Sequence, residues 1–281
     1  MLRTHSPVRA LTVADRDEAL AVCATDPAAN VFVSARILEG ALGSHQGELL
    51  GFADGGGLRS LCWVSANVVP VAVDEESLSA FTGRLRRRRR ECSSLFGPAE
   101  AVLPLWQRLS RYWGRAIAVR DDQPMLSIDR HPRDLGVPLD RLVRRARAEE
   151  VDAVVPAAAA MFTEEIGYPP YSGSDAPYRA GVSSLIARGH TFVRTEDGRV
   201  IFKADVGSVG QGVAQIQGVW VAPSHRGRGL AVPAMAAVVQ QVQDEIAREV
   251  TLYVNNYNAA ARATYRRVGF VHKGRFATVL L

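Results

Sequence analysis

The chain has few cysteines, and they are placed for neither a disulfide framework nor a zinc site. Cys23, Cys62 and Cys92 are the only three among 281 residues, they lie far apart, and none belongs to a Cys-x-x-Cys pair. Neither His190 nor His225 has a second ligand at metal spacing, so we expect no metal ion. The cysteines are expected to be buried, reduced thiols.

Long apolar runs are lacking as well. No uninterrupted apolar stretch is long enough to cross a bilayer, and the first residues run into the charged stretch 15–18 without the apolar core of a signal peptide. We therefore expect a cytoplasmic protein without membrane contacts. The length leaves one large domain or two smaller ones equally open.

Lysine is almost absent. The chain has 34 Lys and Arg against 29 Asp and Glu, and Lys203 and Lys273 are its only lysines. We attribute the preference for arginine over lysine first to a GC-rich coding sequence. This weakens a mechanistic interpretation of any single Arg. A net charge of +5 suits an anionic ligand, but charge by itself selects no function.

The most informative segment is residues 219–231, VWVAPSHRGRGLA, an apolar strand that passes through a glycine-rich basic turn into a helix. A helix start leaves backbone N–H groups without carbonyl partners and carries a partial positive charge, so a bound anion satisfies both. Gly227 and Gly229 let the backbone approach a phosphate where a Cβ would intrude. Alone, such a turn is equally consistent with an ordinary strand-to-helix connection.

A second segment, residues 258–270, reads NAAARATYRRVGF. Together the two segments resemble the GNAT acetyltransferase superfamily, over about the C-terminal half of the chain. The matching positions are Arg226, Gly229 and Ala231 in the family's acetyl-CoA loop, and Asn258, Ala261, Tyr265 and Gly269-Phe270 in its later helix.

The resemblance implies a set of roles. The residues expected to bind acetyl-CoA as co-substrate are Val219, Trp220, Val221, Arg226, Gly227, Arg228, Gly229, Leu230, Ala231, Asn258 and Ala261. The strand before the loop supplies a backbone N–H to the oxyanion, and Tyr265 falls where the family places the acid that protonates the leaving thiolate. On spacing alone Tyr265 is also a packed core residue, and Asn258 is equally a helix N-cap.

The general base is harder to identify. The strand at 214–219 contains Gln215 and Gln217 but no carboxylate, and neither glutamine can accept the proton. Two alternatives stay open, a water chain to solvent and a carboxylate from the helix predicted at 152–166.

In that helix Val155 and Ala158 share an apolar face with Glu165, whereas Glu164 points off it. We expect Glu165 to line the acceptor cleft at the start of loop 167–178, where acceptor specificity is expected to lie. The alternative is an edge glutamate that reaches solvent.

Two further groups of charged residues are conspicuous. Lys203 and Asp205 alternate along a strand beside the cleft and are expected either to pair or to contact an acceptor. The arginine run 86–90 lies on a helix predicted at 76–91 and is expected to form a solvated face. The alternative, a patch for nucleic acid or an acidic partner, is disfavoured because no aromatic residues interleave the run.

Both halves of the chain show similar successions of elements. Apolar runs at 190–195, 200–206 and 214–221 predict an antiparallel meander, followed by helix, strand, helix and strand. The N-terminal half repeats this order more weakly, so we infer a tandem duplication.

The fold class expected is α/β, with two GNAT-like modules, each a mixed, mostly antiparallel sheet flanked by helices. The modules are predicted at 1–130 and 139–281, with the best linker at 129–138. Where the first module would need its phosphate loop it has Asp74 and Glu75, which complement the helix dipole and repel a pyrophosphate. We expect this module to be degenerate and to bind no cofactor.

The expected function is N-acetyl transfer. Acetyl-CoA would donate an acetyl or other acyl group to an amine of a small molecule, peptide or protein, by direct attack of the amine on the thioester. The layout resembles two-domain bacterial members of the superfamily. The alternative is a non-catalytic module that binds acyl-CoA or nucleic acid on the same fold. The acceptor, the acyl-chain preference and the oligomeric state stay open.

Overall fold

The computed structural model describes residues 7–88 and 92–281 and forms two compact units. The first unit contains the described residues up to Met125 together with 253–258 and 272–281. The second contains 126–252 and 259–271. Each has a mixed sheet flanked by helices, which confirms the predicted α/β class.

The described elements of the first half follow one order. They are β1 (Val8–Ala10), α1 (Arg16–Cys23), α2 (Pro27–Leu38), β2 (Glu48–Asp54), β3 (Gly57–Val64), β4 (Asn67–Val71), α3 (Glu75–Leu85), β5 (Ser94–Pro98), α4 (Ala99–Trp113) and β6 (Ala118–Ile128).

The second half repeats that order. Its elements are β7 (Arg144–Arg145), α5 (Val151–Ile166), α6 (Ala176–Ala187), β8 (Thr191–Glu196), β9 (Arg199–Gly210), β10 (Val213–Val221), α7 (Ala231–Glu245), β11 (Glu249–Tyr253), α8 (Ala259–Val268) and β12 (Val271–Leu280). A repeated order of strand, two helices, three strands, helix, strand, helix and strand is what a tandem duplication produces. Among the described helices, none combines the length and the apolar character needed to cross a membrane.

The sheet of the first unit has the order β1-β2-β3-β4-β5-β12-β6. Strands β1 to β4 pair antiparallel, and β4 pairs parallel with β5. The last strand of the chain, β12, pairs antiparallel with β5. Its side chains Ala277 and Val279 join Phe81, Leu85 and Leu95 in the buried core, so the C-terminal segment completes the first unit.

The second unit contains the predicted meander. β9 pairs antiparallel with both β8 and β10, and β10 pairs parallel with β11. Helices α5 and α6 bury Val155, Ala158, Val182 and Ile186 in a common cluster. The helix α7 is buried on nearly all sides over residues 234–240, where all residues but Gln240 are apolar.

The compact units are not continuous along the chain, whereas the modules predicted at 1–130 and 139–281 are. The predicted linker packs within the second unit. Pro132 is buried, and Leu135 lies so close to Gly269 that a Cβ there would come within 2.4 Å of Leu135 Cδ1. The assignment of two modules by descent stays a prediction.

One predicted element is shorter in the structure. The helix expected at 76–91 ends at Leu85, because Arg88 forms an ion pair with Glu48 of β2 and like charges one helical turn apart repel. Arg86 lies over the Tyr112 ring, 6.0 Å from its centroid. Arg89 and Arg90 lie outside the described residues.

The packing of β12 in the first unit predicts a stability effect at Phe276. Its side chain is 2% exposed, stacks on Tyr253 with ring centroids 5.1 Å apart and clusters with Ala28 and Met125. Phe276→Ala should lower the free energy of unfolding by about 3–5 kcal/mol, because truncation leaves a cavity. Urea denaturation measures this change.

The control is Val271→Ala, at the start of the same strand, where the side chain is 59% exposed. It should change the free energy of unfolding by less than about 0.5 kcal/mol. Equal, small effects of both substitutions would contradict the burial of β12 in this core.

Candidate functional site

A bulge interrupts β10 where the sequence predicted a backbone donor. The register between β10 and β9 passes from the pair Gln217–Asp205 to the pair Trp220–Lys203, so Gly218 and Val219 lie between these pairs. The ladder between β10 and β11 ends even earlier, since it covers only 213–215 paired with 249–251. Bulges of this kind re-aim backbone groups away from the sheet.

A buried ion pair lies beside the bulge. Lys203 and Asp205 are 1% and 5% exposed, and their charged groups are in contact. Each also has a second partner: Lys203 Nζ donates to the Gly218 carbonyl oxygen at 3.3 Å, and Asp205 Oδ1 accepts from Thr191 Oγ1 at 2.9 Å. Of the two alternatives left open for these residues, the structure shows the pair.

The glycine loop is open to an anion. Residues 226–229 are exposed, and Gly227 and Gly229 have φ values of +73° and +79°. No atom of the described chain comes within 4 Å of a Cβ placed at either glycine. The first turn of α7 has no acidic residue, and no described side chain caps it. This helix start therefore has no side-chain cap that would exclude an anion, and the predicted anion site stays a prediction.

The corresponding helix start of the first unit is closed. Asp74 caps α3, and its Oδ1 accepts from the Ser77 backbone N–H at 2.9 Å. Hydrogen bonds to the ionised form, first from the Ser77 backbone, hold the pKa of Asp74 below its usual value. A carboxylate thus already takes the place that an anion would occupy.

Glu164 connects α5 to the glycine loop. Its Oε2 accepts from Arg226 at 2.7 Å, and its Oε1 accepts from Trp220 Nε1 at 3.2 Å. Arg226 Nε also donates to the Val221 carbonyl at 2.9 Å. Sequence reasoning assigned Glu164 no role, because it lay off the apolar face of the helix. No local pattern links it to residues 56 and 62 positions away.

Tyr265 is a buried phenol near a carboxylate. It is 7% exposed and packs edge-on against Phe270, with centroids 5.8 Å apart. Burial raises the pKa of Tyr265, and the charge of Glu165 raises it further. Glu165 itself is exposed, which matches the alternative of an edge glutamate and not a place on the buried face.

The predicted acceptor loop between α5 and α6 is lined with aromatic rings. Phe162 lies 6.1 Å from Tyr168 and 6.4 Å from Tyr178, and Tyr171 lies 5.7 Å from Tyr178, centroid to centroid. Burial, aided by the charge of Asp205, raises the pKa of Tyr178 to about 12. Of these rings, Tyr178 is the one on which the charge of the buried ion pair acts.

The other predicted residues are placed as follows. Val219 and Val221 are half-buried on β10, as are Leu230 and Ala231 at the start of α7 and Ala261 on α8, while Arg228 is exposed. Asn258 is exposed, directly precedes α8 and belongs to the first unit. Within 7–88 and 92–281, no three His, Cys, Asp or Glu side chains are grouped to hold a metal ion.

The crowding at the bulge predicts that a side chain at Gly218 is destabilising. Its φ is +60°, and a Cβ would lie 3.0 Å from Asp205 Oδ2, 3.1 Å from Lys203 Nζ and 3.3 Å from Met161 Cε. Gly212 has a similar φ of +80° with open space around it, so it isolates the effect of crowding from that of backbone strain.

Gly218→Ala should therefore lower the free energy of unfolding by about 1–3 kcal/mol more than Gly212→Ala does, since overpacking adds to the strain at positive φ. Urea denaturation of the full chain measures both. Equal losses would show that the ion pair and Met161 move aside without cost.

Two family models match segments of this chain. Residues 158–270 match the model of the acetyltransferase (GNAT) family, and residues 47–154 match a domain of unknown function, DUF4081.

Three solved structures share the fold over nearly the whole chain. A GNAT-family acetyltransferase from Colwellia psychrerythraea is 17% identical, with a TM-score of 0.57, and the match covers 98% of this chain and 99% of that one. A GCN5-related N-acetyltransferase from Sphaerobacter thermophilus is 18% identical, with a TM-score of 0.61 and coverage of 97% and 94%. A tandem GNAT protein from the clavulanic acid biosynthesis pathway is 15% identical, with a TM-score of 0.57 and coverage of 96% and 97%.

At these identities the structures establish the fold alone, and the family assignment comes from the sequence match. The matched segment contains the bulge, the glycine loop and Tyr265. Residues 158–270 are therefore a domain of the acetyltransferase (GNAT) family.

Proposed function

We propose that this protein is an N-acetyltransferase that transfers an acetyl group from acetyl-CoA to an amine. The observation that carries the proposal is the exposed glycine loop at the uncapped start of α7, directly after the bulged strand β10. A GNAT domain supports acyl transfer in general. The loop adds a place for a diphosphate, which is the anionic part of coenzyme A.

The cofactor is held mainly by backbone. The backbone N–H groups of residues 227–231 are proposed to bind the diphosphate, while Arg226 is already engaged by Glu164. The segment 219–221 pairs with the pantetheine arm, as the resemblance implies. The roles of Asn258 and Ala261 as cofactor ligands rest on the resemblance.

Acetyl-CoA supplies an acetyl group activated as a thioester. The amine nitrogen forms a bond to the carbonyl carbon, and the bond from that carbon to sulfur breaks. A backbone N–H of the strand 219–221 stabilises the negative charge that develops on the carbonyl oxygen. Tyr265 donates its hydroxyl proton to the departing thiolate, since a phenol is protonated at neutral pH and burial raises its pKa further.

Glu165 is the proposed acceptor of the proton that the amine loses. Its charge acts on the Tyr265 phenol, so the proposed base and acid lie close to one another in the second unit. Its exposure also leaves the other route open, in which water carries the proton to solvent. The charge of Glu165 at the end of α5 attracts an ammonium group, whereas that of Glu164 is balanced by Arg226.

The first unit is proposed to bind no coenzyme A. Its α3 start is occupied by the Asp74 carboxylate, and a second carboxylate, Glu75, forms an ion pair with Arg108 nearby. The full chain should therefore bind one equivalent of coenzyme A.

A second candidate function is that of a non-catalytic acyl-CoA sensor. It is favoured by one observation, the lack of a carboxylate on the strand that precedes the loop. Such a protein would bind the cofactor through the same loop but would have no need of an amine.

The decisive experiment combines calorimetry with turnover. Coenzyme A is titrated into the full chain, and thiol release from acetyl-CoA is measured against a broad library of amines. Amine-dependent thiol release with a single acetylated product supports the transferase. Binding of one equivalent without release for any amine supports the sensor, and lack of binding contradicts both.

The open glycine loop predicts a loss of affinity on substitution of Gly229. Gly229→Asp should weaken coenzyme A by at least about ten-fold, or roughly 1.4 kcal/mol, because it adds a side chain and a negative charge beside the diphosphate. Gly212→Asp is the matched control, since Gly212 has nearly the same φ and equally open space. Calorimetry measures the affinity of each variant for coenzyme A. Equal affinities would show that the glycine loop does not bind the cofactor.

The buried phenol predicts a loss of turnover without a loss of binding. Tyr265→Phe keeps the ring that packs on Phe270 but removes the proton donor, so kcat should fall at least about 100-fold while coenzyme A affinity stays unchanged. The exposed Tyr257 supplies the control Tyr257→Phe. A kcat within about two-fold of the parent, in a folded variant, would make Tyr265 a packing residue.

A further inference from the structure

Lys203 contacts the peptide group on which the proposed chemistry depends. Its Nζ donates to the carbonyl oxygen of Gly218 at 3.3 Å. That oxygen belongs to the same planar peptide group as the N–H of Val219, the first residue of the strand proposed to stabilise the oxyanion. A carbonyl that accepts from a cation is more strongly polarised, and the N–H at the other end of the peptide becomes a stronger donor.

We propose that Lys203, held in place by Asp205, is a positioning residue that orients and polarises the Gly218–Val219 peptide for the oxyanion of acyl transfer. The inference rests on the proposed function and adds a residue to it. Lys203 touches neither substrate nor cofactor in this role, since it acts through the backbone.

The burial of the pair argues against a role in stability alone. Removing two charges from water costs several kcal/mol per ion, and apolar residues of similar volume often serve stability as well or better. Here both charges lie in the interior, at 1% and 5% exposure. Thr191 fixes Asp205, Asp205 fixes Lys203, and Lys203 fixes the peptide, so the chain of contacts ends at the bulge.

The bulge accommodates the contact between Lys203 and the Gly218 carbonyl. Gly218 is left out of the register with β9, and its lack of a Cβ allows the ammonium and the carboxylate to lie beneath the peptide. A compact ammonium suits the place, because the five donors of a guanidinium would need more acceptors than one carboxylate and one carbonyl provide. In a chain whose only lysines are Lys203 and Lys273, this is a position where arginine does not fit.

The test uses two variants of the full chain. Lys203→Met combined with Asp205→Asn removes both charges at similar volume, so that no unpaired charge is left buried. Asp205→Asn alone keeps the Lys203 side chain and an acceptor for Thr191 but leaves the ammonium without its carboxylate, so it tests whether Asp205 holds Lys203 in place. The control is Arg194→Met combined with Asp140→Asn, which removes another ion pair of the same unit.

The first readout is spectroscopic and needs no cofactor. Labelling glycine with ¹³C at the carbonyl and valine with ¹⁵N selects the Gly-Val peptides by NMR, and the sequence has four, at 136–137, 181–182, 212–213 and 218–219. In the double variant the Val219 amide resonance should move to lower frequency, because its peptide is less polarised. The amide resonances of the other three valines should not move. In the Arg194 control none of the four resonances should move.

The second readout separates turnover from binding. In the double variant kcat should fall about ten-fold, since a weakened oxyanion donor costs less than the 10²–10³-fold loss of a whole one, while the dissociation constant for coenzyme A stays within about two-fold. Asp205→Asn should keep both kcat and the Val219 resonance closer to those of the parent than the double variant does.

An unchanged Val219 resonance or an unchanged kcat in the double variant overturns the proposal. So does movement of all four Gly-Val resonances with a parallel loss of coenzyme A affinity, because that result describes a merely structural pair. If the parent protein releases no thiol with any amine, the proposed function fails and this role with it, and the resonance then reports only the polarised peptide.

Discussion

The candidate site in the second unit depends on the irregular pairing of β10 with β9. A regular ladder would satisfy every backbone group of β10 with a neighbouring strand and leave none for a ligand. The buried pair of Lys203 and Asp205 supplies side-chain partners at the place where the ladder breaks, so the bulge at Gly218 remains hydrogen-bonded. The irregular strand can therefore present backbone groups to a ligand without leaving a buried carbonyl unpaired. The glycine loop, residues 226–229, follows this strand in the chain.

The two repeats show how a small difference in sequence closes or opens an anion site. In both, a strand runs into a helix that packs on the sheet. In the first repeat the residue before the helix is Asp74, whose carboxylate accepts from the backbone N–H of Ser77 in the first turn. In the second repeat Leu230 takes that place, and no described side chain caps α7. The same backbone plan thus yields a self-capped helix in one unit and a helix start that fits a diphosphate in the other.

Much of the fold and the glycine loop could be predicted from the sequence, because the patterns that indicate them are local. Glycines in the loop, alternating apolar residues in the meander and the order of elements all act within a few residues, and the structure confirms the meander and the α/β class. The helices α1 and α2 were not predicted, since their hydrophobic periodicity is weak. The place of β12 beside β5 was also missed, because strand pairing across the length of the chain leaves no local pattern.

The contacts of Glu164 show the same limit at the site. Its periodicity placed it off the buried face of α5, and the structure agrees that it is exposed, yet it meets Trp220 and Arg226. The consequence concerns Arg226, which the resemblance names as a cofactor residue. A guanidinium held by a carboxylate has less charge to offer a phosphate, so the loop's attraction for an anion comes mainly from its backbone N–H groups. Because Glu164 lies next to Glu165, the end of α5 that leads into loop 167–178 is also the end that contacts the glycine loop.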